Sequence, residues 1–159
     1  MKRILIRAAL LLVALLGLIQ VAPYGHAHSN PPVTAEPNWE SPATRDLARR
    51  ACFDCHSNET GWPWYSWVAP VSWLVQNDVS RGRRHLNFSE WDKKQRHAGD
   101  AAEMIEKGEM PPWYYLPMHP DAKLTADEKA ELVKGFDAMF PSEEEGRGRG
   151  RGGDDEEGD

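Results

Sequence analysis

The chain opens with three basic residues, Lys2, Arg3 and Arg7, and then runs "AALLLVALLGLIQVA" from Ala8 to Ala22 without a charge. A basic start followed by an apolar run reads as an export or anchoring signal, with the N-terminus in the cytoplasm and the rest outside. Counted from Ile4 or from Ala8, the run is on the border between a signal core and the roughly 20 residues of a spanning helix. Gly25 and Ala27 in "YGHAH" supply the small residues of a cleavage site, so both an uncleaved anchor and a chain cut near Ala27 are open. Residues 1–24 are expected to form this anchor or signal segment.

Residues 25–40 are polar and proline-rich ("SNPPVTAEPNW") and favour an extended spacer. Ser41 followed by Pro42 is a helix start, a hydroxyl cap ahead of a proline that suits the first helical turn, and the helix "PATRDLARRACFDCH" follows. The aromatic stretch "TGWPWYSWVAP" has no period and reads as a loop. A second helix is predicted from Val71 to about His85, with Gly82 weakening its end. A third, capped by Ser89, is predicted from Glu90 to about Lys107, with Trp91, Ala98, Ala101, Ala102 and Ile105 inward. "GEMPPWYYLPMHPDAKL", with four prolines, must be a shaped loop. Thr125 and Glu128 form a capping box for a last helix, whose inner face carries Leu132, Val133, Phe136, Met139 and Phe140.

No stretch alternates as a strand would, so the fold class is all-α: about four helices with long loops over residues 41–141, preceded by an apolar helix. Residues 142–159, an acidic segment with three Arg-Gly repeats, cannot bury enough apolar surface to order themselves and are expected to be a disordered tail. The net charge of −6 comes largely from that tail, which leaves a mildly acidic domain. There is no basic footprint for nucleic acid.

Both cysteines lie in "ACFDCH", a C-x-x-C-H pattern, the attachment sequence of c-type haem. On a helix, residues three apart share a face, so Cys52 and Cys55 can reach two vinyl groups along one porphyrin edge. His56, directly behind, is then placed to bind iron as the proximal ligand. Three other uses stay open at this point. Zinc would want four ligands, and no second C-x-x-C or H-x-x-x-H pair exists. A redox dithiol would sit at a helix start after a strand, and a structural disulfide is permitted in an exported chain. A small domain has a poor core by itself, which a haem would complete, with the seven tryptophans suited to wall it.

The residue opposite His56 decides between electron transfer and ligand chemistry. Met110 stands in the proline-fixed "GEMPP" loop and is the leading distal candidate; Met118 and His119 in "LPMHP" are its rivals. Met104 reads as helix core, and His85 and His97 as exposed polar side chains among arginines and lysines.

With "NPPV", "ACFDCHSNET", "WPWYSWVAPVSWL", "GRRHLNFSEW" and "GEMPPWYYLPMHPDAKLTADEK" in place, the sequence resembles the haem-binding domain family of small bacterial c-type cytochrome-like proteins, usually found with an N-terminal membrane segment. The resemblance implies a cytochrome c-like fold around one covalent haem c, held at Cys52, Cys55 and His56, with Met110 in the matching MPP position as distal ligand. It also favours an uncleaved anchor and does not extend to the Arg-Gly tail. The function expected is therefore a monohaem cytochrome tethered at the periplasmic side of the inner membrane, passing single electrons to redox partner proteins and not acting as an enzyme. The alternatives are a small-ligand sensor or peroxidase-like protein with an open sixth iron site, and a haem-free module with a Cys52–Cys55 disulfide.

Overall fold

The computed structural model describes residues 1–140; the expected acidic tail lies outside the described residues. Six α-helices are present among them: α1 (Lys2–Ile19), α2 (Pro42–Ala51), α3 (Phe53–His56), α4 (Val71–His85), α5 (Ala101–Glu106) and α6 (Ala126–Met139). Short 3-10 turns lie at Trp64–Trp67, Ala98–Asp100, Leu116–Met118 and Pro120–Ala122. The extended backbone makes a single parallel bridge, between Ala35 and Glu90, so the all-α class holds for the described residues.

Each of the best-defined helices starts for a local reason. The Ser41 hydroxyl accepts the Thr44 amide at 3.0 Å, with Pro42 in the first turn, and so caps α2. Thr125 and Glu128 cap α6 reciprocally, the Glu128 carboxylate taking the Thr125 amide at 2.8 Å. α6 packs on α5 and α2, and α4 packs on α3 and the Trp64–Trp67 turn. Where α6 crosses α2, a side chain at Gly135 would meet Thr44 Oγ1 at 2.6 Å, so glycine permits the approach. The core joins Leu47 and Ala48 of α2 to Phe53, Phe88, Leu132 and Phe136. Leu132 and Phe88 are fully buried, each such side chain contributing about 1.5–3 kcal/mol.

Three expectations change. The helix predicted over 90–107 forms only from Ala101, after a 3-10 turn at Ala98. Ser89 cannot cap it, because its hydroxyl accepts the Asn58 amide at 2.9 Å and its carbonyl accepts the Thr34 amide at 2.9 Å. Gln95 instead folds the preceding loop around its own side chain, accepting from Asn87 N and donating to the Glu90 carbonyl. Ala98, Ala102 and Ile105 are nevertheless buried.

The proline-rich stretch is extended but lies along the domain. Arg83 of α4 donates to the Ser29 carbonyl and to Asn30 Oδ1, and the Asn58 amide group donates to the Pro32 carbonyl. Trp91 N–H donates to the Ala35 carbonyl, and Glu36 pairs with Arg45 at 2.8 Å.

The third correction concerns the membrane-anchored placement at the inner membrane. α1 is helical, but no helix among the described residues is long and apolar enough to cross a membrane. Lys2, Arg3 and Arg7 occupy its first two turns, and the helix ends at Ile19. The uncharged helical part therefore spans only roughly 18 Å, against a hydrocarbon core of about 30 Å. Its last turn is tied to the domain by Gln20, whose side chain accepts from Ala69 N and donates to Ala69 O.

Candidate functional site

The attachment motif does not continue α2. The chain turns at Cys52 (φ −125°, ψ −32°), and Phe53–His56 forms a separate single turn, with His56 N–H bonded to the Cys52 carbonyl at 2.8 Å. Behind that turn, Gly82 of α4 comes so close that a Cβ there would overlap the Cys55 carbonyl oxygen and lie 2.9 Å from the Cys55 carbonyl carbon. Gly82, which the sequence suggests as a weak point, is the residue that lets α4 lie against the motif.

His56 is gripped at both ends. Its carbonyl accepts the Phe88 amide at 2.8 Å, and its ring Nδ1 donates to the Leu86 carbonyl at 3.0 Å. A carbonyl only accepts, so Nδ1 carries the proton and Nε2 keeps a lone pair, the tautomer a metal-binding histidine needs. Burial pulls the His56 pKa down from its ordinary value, which keeps the ring neutral near pH 7.

In front of the motif lies a cavity of about 540 Å³, within the usual range of cofactor sites. Cys52, Cys55 and His56 line it on one side, with Leu86, Phe88, Ile105 and Phe136 as apolar walls. The loop after Gly108 adds Met110, Pro111, Pro112, Tyr114 and Tyr115 to its lining. Charged and titratable groups, Asp54, Asp78, Arg81, His85, His97 and Asp100, also lie on its lining. The tryptophans do not line it. Trp39 and Trp91 pack against the core, while Trp64 and Trp113 are 74 % and 80 % exposed. Tyrosines and phenylalanines take the role expected of them.

Among the distal candidates, Met110 lines the cavity, although it is 37 % exposed, and its rivals do not line it. Met118 is exposed, and His119 stacks on Tyr115 at 3.8 Å with its Nδ1 donating to the Tyr115 carbonyl. Met104 also lines the cavity, as do His85 and His97, whose rings meet edge to face at 4.9 Å. Met104 reads from the sequence as helix core and instead sits near the end of the short α5 on the cavity lining; His85 and His97 are exposed, as the sequence suggests, and the 90–97 segment folds back as a loop that brings His97 to His85.

Two of the other uses of the cysteines, a zinc site and a redox dithiol, find little support. Among the described residues no group of three or more His, Cys, Asp and Glu side chains converges as a metal site. Burial pushes both thiols up to about 12, the reverse of the depressed value that activates a redox dithiol. Two thiols and a correctly protonated imidazole on the wall of an apolar cavity do fit a covalently held haem.

Two structural residues escaped the sequence reading. Arg83 donates to the Ser57 carbonyl at 2.7 Å and to Thr60 Oγ1 at 2.9 Å, fixing the chain as it leaves His56. Asp54, between the two cysteines, accepts the Gly61 amide and the Tyr115 hydroxyl. Nothing in the sequence marked either one, because their partners lie 7 to 61 residues away in sequence.

No curated protein and no solved structure matches the chain. A family model described as "Haem-binding domain" matches residues 14–138, a span that contains the motif, the walls of the cavity and the Met110 loop. The chain belongs to the haem-binding domain family.

Proposed function

We propose that this haem-binding chain is a monohaem c-type cytochrome that carries single electrons between redox partner proteins. Cys52 and Cys55 would hold the haem by thioethers, His56 Nε2 would be the proximal ligand and Met110 the distal one. A haem bound there supplies an iron that changes oxidation state by one electron. The observation that carries the reading is the Nδ1 hydrogen bond from His56 to the Leu86 carbonyl, which turns a bare Nε2 toward metal chemistry beside two thiols.

The chain's own residues do the rest. The Leu86 carbonyl orients the imidazole, the Phe88 amide holds the His56 backbone, Gly82 lets α4 back the motif, and phenylalanine and isoleucine side chains supply apolar walls. Pro111 and Pro112 stiffen the segment that follows Met110, reducing the entropy lost when its thioether is fixed. A thioether ligand raises the potential, because soft sulfur favours ferrous iron.

A second reading, a protein whose iron binds a small external ligand, draws on His85 and His97 at the same cavity, where an imidazole could serve as an acid-base group. Mass spectrometry and spectroscopy of the haem-loaded full chain separate the two. The electron-carrier reading expects a haem-sized adduct on the peptide holding Cys52 and Cys55, and a low-spin methionine-type ferric spectrum that Met110→Ala abolishes. A high-spin ferric centre indifferent to Met110→Ala supports the second reading, and a peptide without the adduct sinks both forms of covalent attachment.

A further inference from the structure

The loop that carries Met110 is fastened at two points by neighbouring tyrosines. It leaves α5 through Gly108, whose φ of +71° favours glycine, and the amides of Glu109 and Met110 both return to the Met104 carbonyl, at 3.0 and 3.1 Å. Beyond the two prolines the chain closes a turn, with Tyr115 N–H on the Pro112 carbonyl. The two phenols then reach in different directions. Tyr114 OH donates to Asp78 Oδ2 of α4 at 3.2 Å, and Tyr115 OH donates to Asp54 Oδ2 at 2.6 Å.

Both acceptors are carboxylates, and the second bond is the stronger because it is much the shorter. Its acceptor is also well held: the other oxygen of Asp54 takes the Gly61 amide at 2.9 Å. The Tyr115 ring is backed by His119, stacked at 3.8 Å and 11°, and His119 Nε2 in turn accepts from Tyr65 OH at 3.2 Å. Burial, together with Asp54, keeps the Tyr115 phenol proton on far above the ordinary range. Asp54 sits inside the C-x-x-C-H motif itself, so this bond joins the attachment turn directly to the Met110 loop that lines the cavity.

We propose that Tyr115 and Asp54 form a latch that holds the Met110 loop closed over the cavity, making Tyr115 a positioning residue for Met110. The inference rests on Met110 being the distal ligand. In haem-loaded protein the latch governs how often the loop opens, and hence how fast an external ligand gains access. Tyr114 and Asp78 form a weaker second fastening, since the bond is longer and Tyr114 is 41 % exposed.

The test compares the haem-loaded full chain with Tyr115→Phe, Tyr114→Phe and, as a control for stability alone, Thr125→Ala, which loses the remote α6 cap. Tyr115→Phe keeps the ring and its stacking and removes only the donor. Cyanide should bind its ferric form about tenfold faster, with the methionine-type spectrum still present before cyanide is added. Tyr114→Phe should change the rate by about twofold, and Thr125→Ala should leave it unchanged while lowering the unfolding midpoint. Hydrogen exchange at the amides of residues 110–119, excluding the prolines, should rise in Tyr115→Phe alone.

A Tyr115→Phe rate within twofold of the unaltered chain overturns the latch, and so does an equal acceleration in Thr125→Ala. If Tyr115→Phe does not fold, Asp54→Asn, which keeps an acceptor and loses the charge, should give a smaller acceleration in the same direction; no change overturns the proposal. An unaltered chain that lacks the methionine spectrum refutes the Met110 assignment, whereas the exchange measurement still decides whether Tyr115 holds the loop.

Discussion

Gly82→Ala puts one carbon between α4 and the attachment turn. Its Cβ would overlap the Cys55 carbonyl oxygen, with the Cys55 carbonyl carbon at 2.9 Å and the Cys55 Cβ at 3.1 Å. Comfortable carbon contacts lie near 3.5–4.0 Å. The obstructing atoms are largely backbone, so no rotamer change relieves them and α4 must move away from the motif as a body. Such overpacking costs typically about 1–3 kcal/mol. Alanine returns about 1 kcal/mol through its better helix propensity, since Gly82 lies within α4. When the steric cost lies toward its upper end, as immovable backbone demands, the net loss is about 1–2 kcal/mol, or roughly 3–10 °C in Tm for a domain of this size. Guanidinium and thermal unfolding of the full chain measure it. Gly17→Ala, with nothing within 4 Å of the new carbon, is the control and should lose nothing. Because α4 also carries Asp78, Arg81 and His85 on the cavity wall, haem loading should fall along with stability. A Gly82→Ala chain as stable as the unaltered one would refute the close-approach argument.

Glu128 links acid stability to the α6 cap. The hydrogen bond from Arg50, then that from the Thr125 amide, lower its pKa from 4.5 to about 2. A folded-state value below the unfolded one stabilises the fold above about pH 4.5, and that contribution is lost as pH falls from there toward 2. Glu128→Gln should flatten the dependence of unfolding midpoint on pH across this window; an unchanged slope counts against the Glu128 carboxylate as its source. Leu132→Ala empties a fully buried site between α6 and the rest of the core and should cost about 2–5 kcal/mol by guanidinium denaturation. A loss below 1 kcal/mol would mean that the core collapses around the gap.

What the sequence reveals tracks how local the cause is. The caps at Ser41 and Thr125 are decided within four residues, and both helices start where those residues put them. α4 keeps the predicted bounds, Val71 to His85, but buries Ser72, Val79 and Gly82 and leaves Leu74 exposed. The helix over 90–107 fails because its cap, Ser89, is claimed by Asn58 and Thr34, which are distant in sequence. The same distinction divides the site. C-x-x-C-H is a local signature and marks three residues at once. The tautomer of His56, the role of Asp54 and the presence of His97 beside His85 all depend on elements folded together, which spacing alone does not encode. Tryptophan content was misleading for a related reason: large aromatic side chains suit a cofactor wall, but the loops carrying Trp64 and Trp113 turn them outward.

Arg83 also bears on where the autonomous unit begins. Its guanidinium ties the exit of the attachment turn, at Ser57 and Thr60, to Ser29 and Asn30. A protein trimmed to start at Ser41 would retain every cysteine, histidine and methionine of the cavity. It would also strip Arg83 of two acceptors, Asn58 of the Pro32 carbonyl and Arg45 of its Glu36 partner. The smallest fragment expected to hold the motif in its native posture therefore begins upstream of Ser29, because the proline-rich stretch is bonded along the domain like a girdle.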